Sequence, residues 1–357
     1  MPFAFTDEQR DLADGVARLL ADRATGLYAR QVLAGEASWR DLWAEVAELG
    51  VAALLVPEEL DGLGLGAVEL VAVAEACGRF LAPAPIVATA GTFAPPVAMA
   101  GGDAAACLEQ VLGEGAAATL CHVDPLTRSG AVELDRGRLR VEGLLVPDAE
   151  RVEYFAFVVE DDGVARVAVV PAAAAEIAPV ESMDRLRPLG RIRIEGAEAG
   201  VGELPAGAAP LAVPFVAAAA ELVGMAAEML RISVEYAGER EQFKTRIGSF
   251  QAVKHRLADS LVLVERARSL TYRAAVLATA GTDRRELMAA AHLAKASAGE
   301  AAVEVARASV QLHGGVGMTE EHDISLFYLR ARQASMMLGG SDAHYRAAAR
   351  AFLAPTI

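Results

Sequence analysis

Two segments in the last third of the chain carry residue types suited to holding phosphate groups. In the segment 239–251, Arg240 offers a planar fork of N–H donors that matches phosphate oxygens. In the segment 311–319, three glycines follow a long helical pattern, and glycine lets backbone N–H groups approach a phosphate or an adenine closely. The alternatives are a solvated helix end, where Arg240 offsets the helix dipole, and a helix cap followed by a turn.

One carboxylate is a candidate for proton transfer. Glu221 lies in the alanine-rich helical stretch 217–224 and is expected to be partly buried, where desolvation acts against the charged carboxylate. The alternative is a helix-face glutamate paired with an arginine. The three cysteines are widely spaced and the six histidines show no ligand spacing, so we expect free buried thiols and no metal site.

The elements that position these segments divide the chain into three domains. Residues 1–115 form a predicted helical domain, which begins with a capping box at Thr6 and Gln9. Its helical patterns cover residues 38–49 and 67–80, and the prolines between Pro83 and Pro96 are expected to break the stretch that follows.

The remaining two domains differ in the period of their apolar residues. Residues 116–208 contain short β-branched segments, such as 138–146 with its initial alternation, and predict a small β domain. Residues 209–357 return to the helical period, with short turns that favour antiparallel helices in a bundle. The chain is therefore expected to be mainly α with a small central β domain.

Composition limits the partners that the protein can have. The formal net charge of −15 opposes binding to nucleic acid. The longest uninterrupted apolar run, 211–220, is shorter than the ~20 residues that cross a bilayer. The first residues lack a basic region followed by an apolar core, so we expect no signal peptide, no membrane association and a cytoplasmic location.

Three motifs resemble those of the acyl-CoA dehydrogenases and occur in the same order. Residues 56–66 are similar to the PEE-GGLG loop of that family, with Asp61 where glycine is more usual. Residues 239–251 are similar to its ERxxFGxxIxxFQ segment, with Lys244 in place of a glycine, and residues 311–319 to its QxxGGxGxT signature. The resemblance covers essentially the whole chain. It implies a helical N-terminal domain, a β-barrel-like middle domain and a C-terminal four-helix bundle.

The resemblance also implies a reaction and a cofactor. The family removes two hydrogens from the α and β carbons of an acyl-CoA thioester, using a carboxylate base and FAD, and passes the electrons to an electron-transfer flavoprotein. In the family, the second and third motifs reach the FAD of a neighbouring subunit, while a threonine matched by Ser341 helps to hold FAD. The positions that these motifs assign to FAD across a subunit interface are Arg240, Phe243, Gln251, Gln311, Gly314 and Gly315.

The residues that would form a subunit's own catalytic site depart from the family pattern. Gly339 occupies the usual position of the base, where no proton can be accepted, and Pro214 occupies the position that some members use instead. Glu221 is the candidate for a relocated base. Asp342 is also a carboxylate near the usual position, but it lies three residues further on, where it is expected to begin the last helix as a cap. Ala212 and Phe215 stand where the family has an Asp and an Arg for CoA.

The positions in the β domain that contact the flavin ring in the family also differ from the family pattern. The segment 121–130 echoes the T-E-P-x-x-G-S-D motif weakly, and residues 145–147 replace a Trp-Ile-Thr contact. With these departures, the chain resembles the short, degenerate subunit of heteromeric acyl-CoA dehydrogenases, which works beside a catalytic paralogue. The segment 319–323 is also similar to that group. The alternatives are a self-sufficient homo-oligomer with a relocated base and a non-catalytic scaffold that binds no flavin.

Overall fold

Helices form both ends of the chain, and two small sheets form its middle. The computed structural model describes residues 6–123 and 130–353. Most of the weak T-E-P-like echo, residues 124–129, therefore lies outside the described residues. The predicted fold class, mainly α with a small central β domain, is confirmed.

Between residue 6 and the first strand, the structure has six α-helices. They are α1 (Asp7–Arg23), α2 (Gly26–Ala34), α3 (Trp39–Glu48), α4 (Ala67–Arg79), α5 (Ala94–Ala100) and α6 (Leu108–Gly113). The predicted capping box starts α1, because the Thr6 hydroxyl accepts from the Gln9 N–H at 3.2 Å and Gln9 Oε1 accepts from the Thr6 N–H at 3.0 Å. Apolar side chains such as Leu20, Leu42 and Leu70 are buried on the inner faces of these helices.

The prediction that the prolines between Pro83 and Pro96 break the helical pattern is wrong for Pro95 and Pro96. A π-helical turn over Ala88–Phe93 leads directly into α5, and both prolines lie in the first turn of that helix. The backbone is helical without a break over residues 86–100, so the two missing N–H groups fall inside a continuous helical segment, directly after the wider turn of the π-helix. The short helix α2 was not predicted from the sequence.

Two four-stranded sheets make up the middle of the chain. The first has the order β1 (Ala118–Cys121), β4 (Tyr154–Asp161), β5 (Val164–Pro171) and β8 (Gly200–Glu203), and only β1 and β4 are parallel. The second is antiparallel, with the order β2 (Ala131–Asp135), β3 (Arg138–Pro147), β7 (Leu189–Glu198) and β6 (Glu176–Val180). Inward residues of both sheets, such as Val141 and Phe157, share one core.

Five α-helices and one small hairpin follow, up to residue 353. They are α7 (Ala212–Glu239), α8 (Gln251–Thr279), α9 (Arg284–His313), α10 (Asp323–Met336) and α11 (Ser341–Leu353), and the hairpin joins β9 (Glu241–Gln242) to β10 (Thr245–Arg246). Helix α7 is long and apolar enough to cross a membrane, but 78% of its most apolar window is buried inside the protein, as in a core helix. The predicted domain limits at residues 115/116 and 208/209 fall in connecting segments and stay predictions.

Candidate functional site

The bundle brings the two predicted phosphate-binding segments to the same end. Helices α7, α8 and α9 alternate in direction, so the end of α7, the start of α8 and the end of α9 lie together. Tyr236 in the last turns of α7 stacks on His313 at the end of α9, with 4.2 Å between ring centroids. We call this region the bundle-end surface. It carries Arg240, Phe243, Gln251, Gln311, Gly314 and Gly315, all of them exposed.

A strained hairpin presents one of these residues. Phe243 and Lys244 form the two-residue turn between β9 and β10, with φ angles of +53° and +62°. Each non-glycine residue in this region costs on the order of 1–3 kcal/mol, so the glycine usual in the family would be less strained than Lys244. The turn leaves the Phe243 side chain 88% exposed, a setting typical of an aromatic that meets a partner.

The bundle-end surface has a local excess of positive charge. Residues 239–256 contain five Lys or Arg and two Glu, a net charge of 5 − 2 = +3 in a chain of −15. Within the described residues, none of these five cations is paired with a carboxylate. The backbone N–H groups that start α8 are not capped by a side chain either. Unpaired cations beside an uncapped helix start fit an anion such as a pyrophosphate.

Ser341 lies in a different region from the other predicted FAD contacts. It starts α11 beside Gly299, where a Cβ atom would come within 2.7 Å of the Ser341 hydroxyl. Gly299 precedes His313 by fourteen residues, which corresponds to about 21 Å along α9. The predicted set therefore divides between the bundle-end surface and the start of α11. The roles of all seven residues stay predictions.

The interior cleft lies between the sheets and the helices α7 and α10. Its walls include Cys121 at the end of β1, His122 directly after it, Leu145 to Pro147 at the end of β3, Glu221 of α7 and Leu338 after α10. The open volume is about 80 Å³. Sites for small molecules and cofactors usually measure about 300–1,000 Å³, so the residues present here do not accommodate a flavin ring.

A buried network of ion pairs fills one side of the cleft. Arg187 Nη1 donates to Glu221 Oε2 at 3.0 Å, and Arg187 Nε lies 3.3 Å from Asp148 Oδ2. The arrangement that the sequence left as an alternative for Glu221, a glutamate paired with an arginine, is the one observed. Buried Arg330 and Asp184 form a second pair close by.

Charges in this network balance, which accounts for its burial. Three arginines, at positions 151, 187 and 330, face three carboxylates, at positions 148, 184 and 221. Burial raises the pKa of Asp148, although the neighbouring arginines oppose the rise. Burial lowers the pKa of Arg187, but the Glu221 and Asp148 carboxylates raise it overall, so the guanidinium stays charged. A buried glutamate held by a guanidinium has little freedom to act as a base.

The usual base position is occupied by other groups. Gly339 is buried at a φ of +104°, and a Cβ atom there would lie 3.0 Å from His344 Nε2. His344 Nε2 lies 3.0 Å from the Leu338 carbonyl oxygen, and the fully buried Lys295 donates to the Ser335 and Gly339 carbonyls at 3.1 Å each. A side chain at position 339 would therefore be strained by the left-handed backbone and would crowd His344.

Restoring a carboxylate at the base position is expected to fail. Gly339→Glu should leave the chain inactive by itself and lower its free energy of unfolding by roughly 1–3 kcal/mol, through the left-handed φ and the contact with His344. Gly340→Ala is the control, because its Cβ would meet only the flexible Met336 side chain. Urea denaturation and an acyl-CoA oxidation assay check both variants, and oxidation by Gly339→Glu alone would contradict this account.

Two histidines contact each other next to Leu338 and Gly339, the segment that holds the usual base position. His292 Nδ1 and His344 Nδ1 lie 2.8 Å apart, and both rings pack on Phe215 with centroid distances of 5.1 and 4.7 Å. Burial lowers the pKa of His292 to about 4, with a further contribution from His122. Burial also lowers the pKa of His344 to about 3, helped by Lys295 and His292. Both imidazoles are neutral in the folded chain near pH 7.

The histidine pair predicts a loss of stability in mild acid. The unfolded histidines titrate at about 6.5, so their contribution is complete above that pH and is lost as pH falls towards 4 and 3. Near pH 5 the free energy of unfolding should fall by about 1.4 kcal/mol per pH unit for each histidine. Urea titrations from about pH 7 to pH 5 check this. In the His292→Gln variant, the free energy of unfolding should change less steeply with pH, by about 1.4 kcal/mol per pH unit, because one fewer proton is taken up on unfolding. An unchanged dependence on pH would contradict the assignment.

Some important residues could not be identified from the sequence. Arg187 and Asp148 lie in different loops, 34 and 73 residues before Glu221, and no spacing pattern connects them. The buried His344 was likewise unremarkable in the sequence. The expectation of free buried cysteines is met at Cys77, Cys107 and Cys121. No cluster of possible metal ligands occurs in the part of the chain that the structure describes.

Comparison with known proteins matches both helical ends of the chain. Residues 6–106 match the family model "Acyl-CoA dehydrogenase, N-terminal domain" and residues 211–353 match "Acyl-CoA dehydrogenase, C-terminal domain". The chain is 32% identical over 347 residues to acyl-CoA dehydrogenase IpdE2 of Mycobacterium tuberculosis, covering 93% of each protein. It is 30% identical to acyl-CoA dehydrogenase FadE27 of the same organism, covering 97% of each.

Two solved structures, each named as a pair of proteins, contain a chain that is similar to this one over nearly its whole length. A chain of the ChsE4–ChsE5 complex from Mycobacterium tuberculosis is 26% identical, with a TM-score of 0.85 and complete coverage of both chains. A chain of a Tcur3481–Tcur3483 steroid ACAD variant is 25% identical, also with a TM-score of 0.85, and covers 97% of this chain and 98% of that one.

Proposed function

This chain belongs to the acyl-CoA dehydrogenase family of FAD-dependent oxidoreductases, and from that premise we propose that it completes the FAD site of a catalytic paralogue. The two chains form a heteromeric enzyme that dehydrogenates an acyl-CoA thioester between its α and β carbons. This chain supplies the bundle-end surface, and the paralogue supplies the base, the thioester site and the pocket for the flavin ring.

The observation that carries the proposal is the contrast between the two regions of this chain. The bundle-end surface holds five cations without a carboxylate partner in the described residues, and an aromatic side chain 88% exposed. The interior cleft has an open volume of about 80 Å³, a glycine at the base position and Glu221 held by Arg187. One region is prepared for a ligand from outside, and the other is closed by its own side chains.

Each residue of the bundle-end surface has a role that its chemistry supports. Arg240 neutralises the pyrophosphate with its fork of donors. Gly314 and Gly315 let the backbone approach the adenosine end, and Gln251 and Gln311 offer amide donors and acceptors. Phe243 excludes water where the two chains meet. FAD, when bound, would supply the hydride-accepting chemistry of the reaction.

Names of similar proteins support the choice of partner and substrate class. The ChsE4–ChsE5 complex and the Tcur3481–Tcur3483 steroid ACAD are each named as a pair of proteins, and the second is named for steroids. We infer a paralogous subunit for this chain, and an acyl group from a fatty acid or a sterol side chain. An electron-transfer flavoprotein is the proposed electron acceptor, and the cytoplasm is the proposed location.

Activity of the separate and combined chains tests this function. The chain is purified alone and together with a paralogue from the same genome that keeps a glutamate at the position of Gly339. Acyl-CoA oxidation is followed with an artificial electron acceptor. We expect turnover only from the combined chains. Turnover by this chain alone, abolished by Glu221→Gln, would instead establish the self-sufficient enzyme, and a colourless, inactive pair would establish the scaffold.

A further inference from the structure

Helix α2 reaches from the N-terminal helices to the loop that follows the glycine motif. Arg30 Nε donates to the Glu320 carbonyl at 2.9 Å. Arg30 Nη2 donates to the Glu321 carbonyl and to Asp323 Oδ1, each at 2.7 Å. One guanidinium thus binds two successive carbonyls and the first residue of α10, about 290 positions away in the chain.

A second contact shows how closely α2 fits this loop. Gly26, the first residue of α2, packs against the Asp323 carboxylate so tightly that a Cβ atom would lie 2.1 Å from Oδ1. Only glycine allows this approach without displacing the carboxylate. Asp323 is therefore held on one side by the backbone of α2 and on the other by Arg30.

The segment between the glycines and Asp323 is short and is fixed at both ends. We call Gly314–Met318, which forms a 3-10 turn, the glycine loop. At its start, buried His313 stacks on Tyr236 of α7, and its ring lies 4.7 Å from that of His322. At its end, Thr319 donates its N–H to the Val316 carbonyl at 3.1 Å, and the next two residues bind Arg30.

We propose that Arg30 is a positioning residue that holds the glycine loop in the form that receives FAD. The inference rests on the proposed function, because the loop contributes to the bundle-end surface. Hydrogen bonds from a charged group are the strong ones, and the planar fork of arginine can reach several acceptors together, which a lysine ammonium cannot do with the same geometry. The Arg185–Glu320 pair also touches this segment, but both side chains are largely exposed and the pair contributes little.

Hydrogen exchange of the purified chain tests the positioning role without any flavin. In Arg30→Ala, the amides of residues 319–325 should exchange about tenfold faster or more, while α7 and α9 keep their protection. Arg30→Lys should restore part of the protection, and Arg185→Ala, the matched control, should leave it unchanged. Unchanged exchange in Arg30→Ala, or equal loss throughout the chain, would overturn the proposal.

Flavin retention by the heteromer supplies the second readout. The complex carrying Arg30→Ala should lose FAD about tenfold more readily on dilution, with the KM for the acyl-CoA unchanged, since the thioester lies in the paralogue. Faster exchange together with unchanged FAD retention would overturn the link between the loop and FAD. If the unmodified complex holds no FAD, the proposed function fails, and the exchange result still decides whether Arg30 positions the loop.

Discussion

Arg240→Ala should strip most of the FAD from the proposed heteromeric enzyme while leaving this chain folded. Arg240 is exposed at the end of α7 and pairs with no carboxylate among the described residues, so its truncation removes no ion pair from the described chain. A charge-assisted pair with a phosphate contributes about 1.5–3 kcal/mol. The affinity of the complex for FAD should therefore fall by about 10- to 100-fold, as measured by flavin fluorescence during titration of the apo-complex.

Arg256→Ala is the matched control for Arg240→Ala. Arg256 is also exposed and free of a carboxylate partner in the described chain, but it lies beyond the first turn of α8 and outside the matched motif. Its loss should change FAD affinity by less than about threefold, through the general field alone. Equal effects of the two variants would show that only net charge matters, and the specific role of Arg240 would be wrong.

Arg187→Met should be the most destabilising single change considered. It leaves the Asp148 and Glu221 carboxylates buried without the guanidinium that both of them face. Removing one partner from a buried ion pair costs about 3–5 kcal/mol. We expect a loss of this size in the free energy of unfolding, measured by urea denaturation at pH 7.

Two further variants separate the buried charge from the loss of packing. Arg193→Met removes an arginine from an exposed pair with Glu195 and should change stability by less than about 0.5 kcal/mol. In the double variant Arg187→Met, Glu221→Gln, the second change should recover part of the loss because it removes a stranded charge. A loss below about 1 kcal/mol for Arg187→Met would contradict the view that this network closes the cleft.

Much of the fold could be predicted because it depends on interactions between residues that are close in sequence. The capping box at Thr6, the period of the long helices and the turn before Val164 depend on neighbours within a few positions, and each is present in the structure. The glycine and arginine motifs depend on local spacing too, so the residues of the bundle-end surface could be named in advance. Their common location follows from the short turns that make the bundle helices alternate.

Contacts between distant segments could not be predicted in the same way. The Arg187 network joins loops of the middle domain to α7, and Arg30 binds carbonyls about 290 positions away. Nothing in the spacing of these residues distinguishes them from surface arginines. Gly339 shows the same limit, because the sequence reveals a missing base but not that His344 fills its place. Helix α2 was missed although it carries Arg30.

The number of FAD molecules per chain tests the central claim most directly. The heteromer is purified, its subunit ratio is measured by native mass spectrometry, and its flavin is quantified from the visible absorption spectrum. If this chain completes a partner's site and its own cleft is closed, the complex should hold one FAD for each pair of chains, and this chain alone should hold none. One FAD for every chain, or a yellow preparation of this chain alone, would contradict the account.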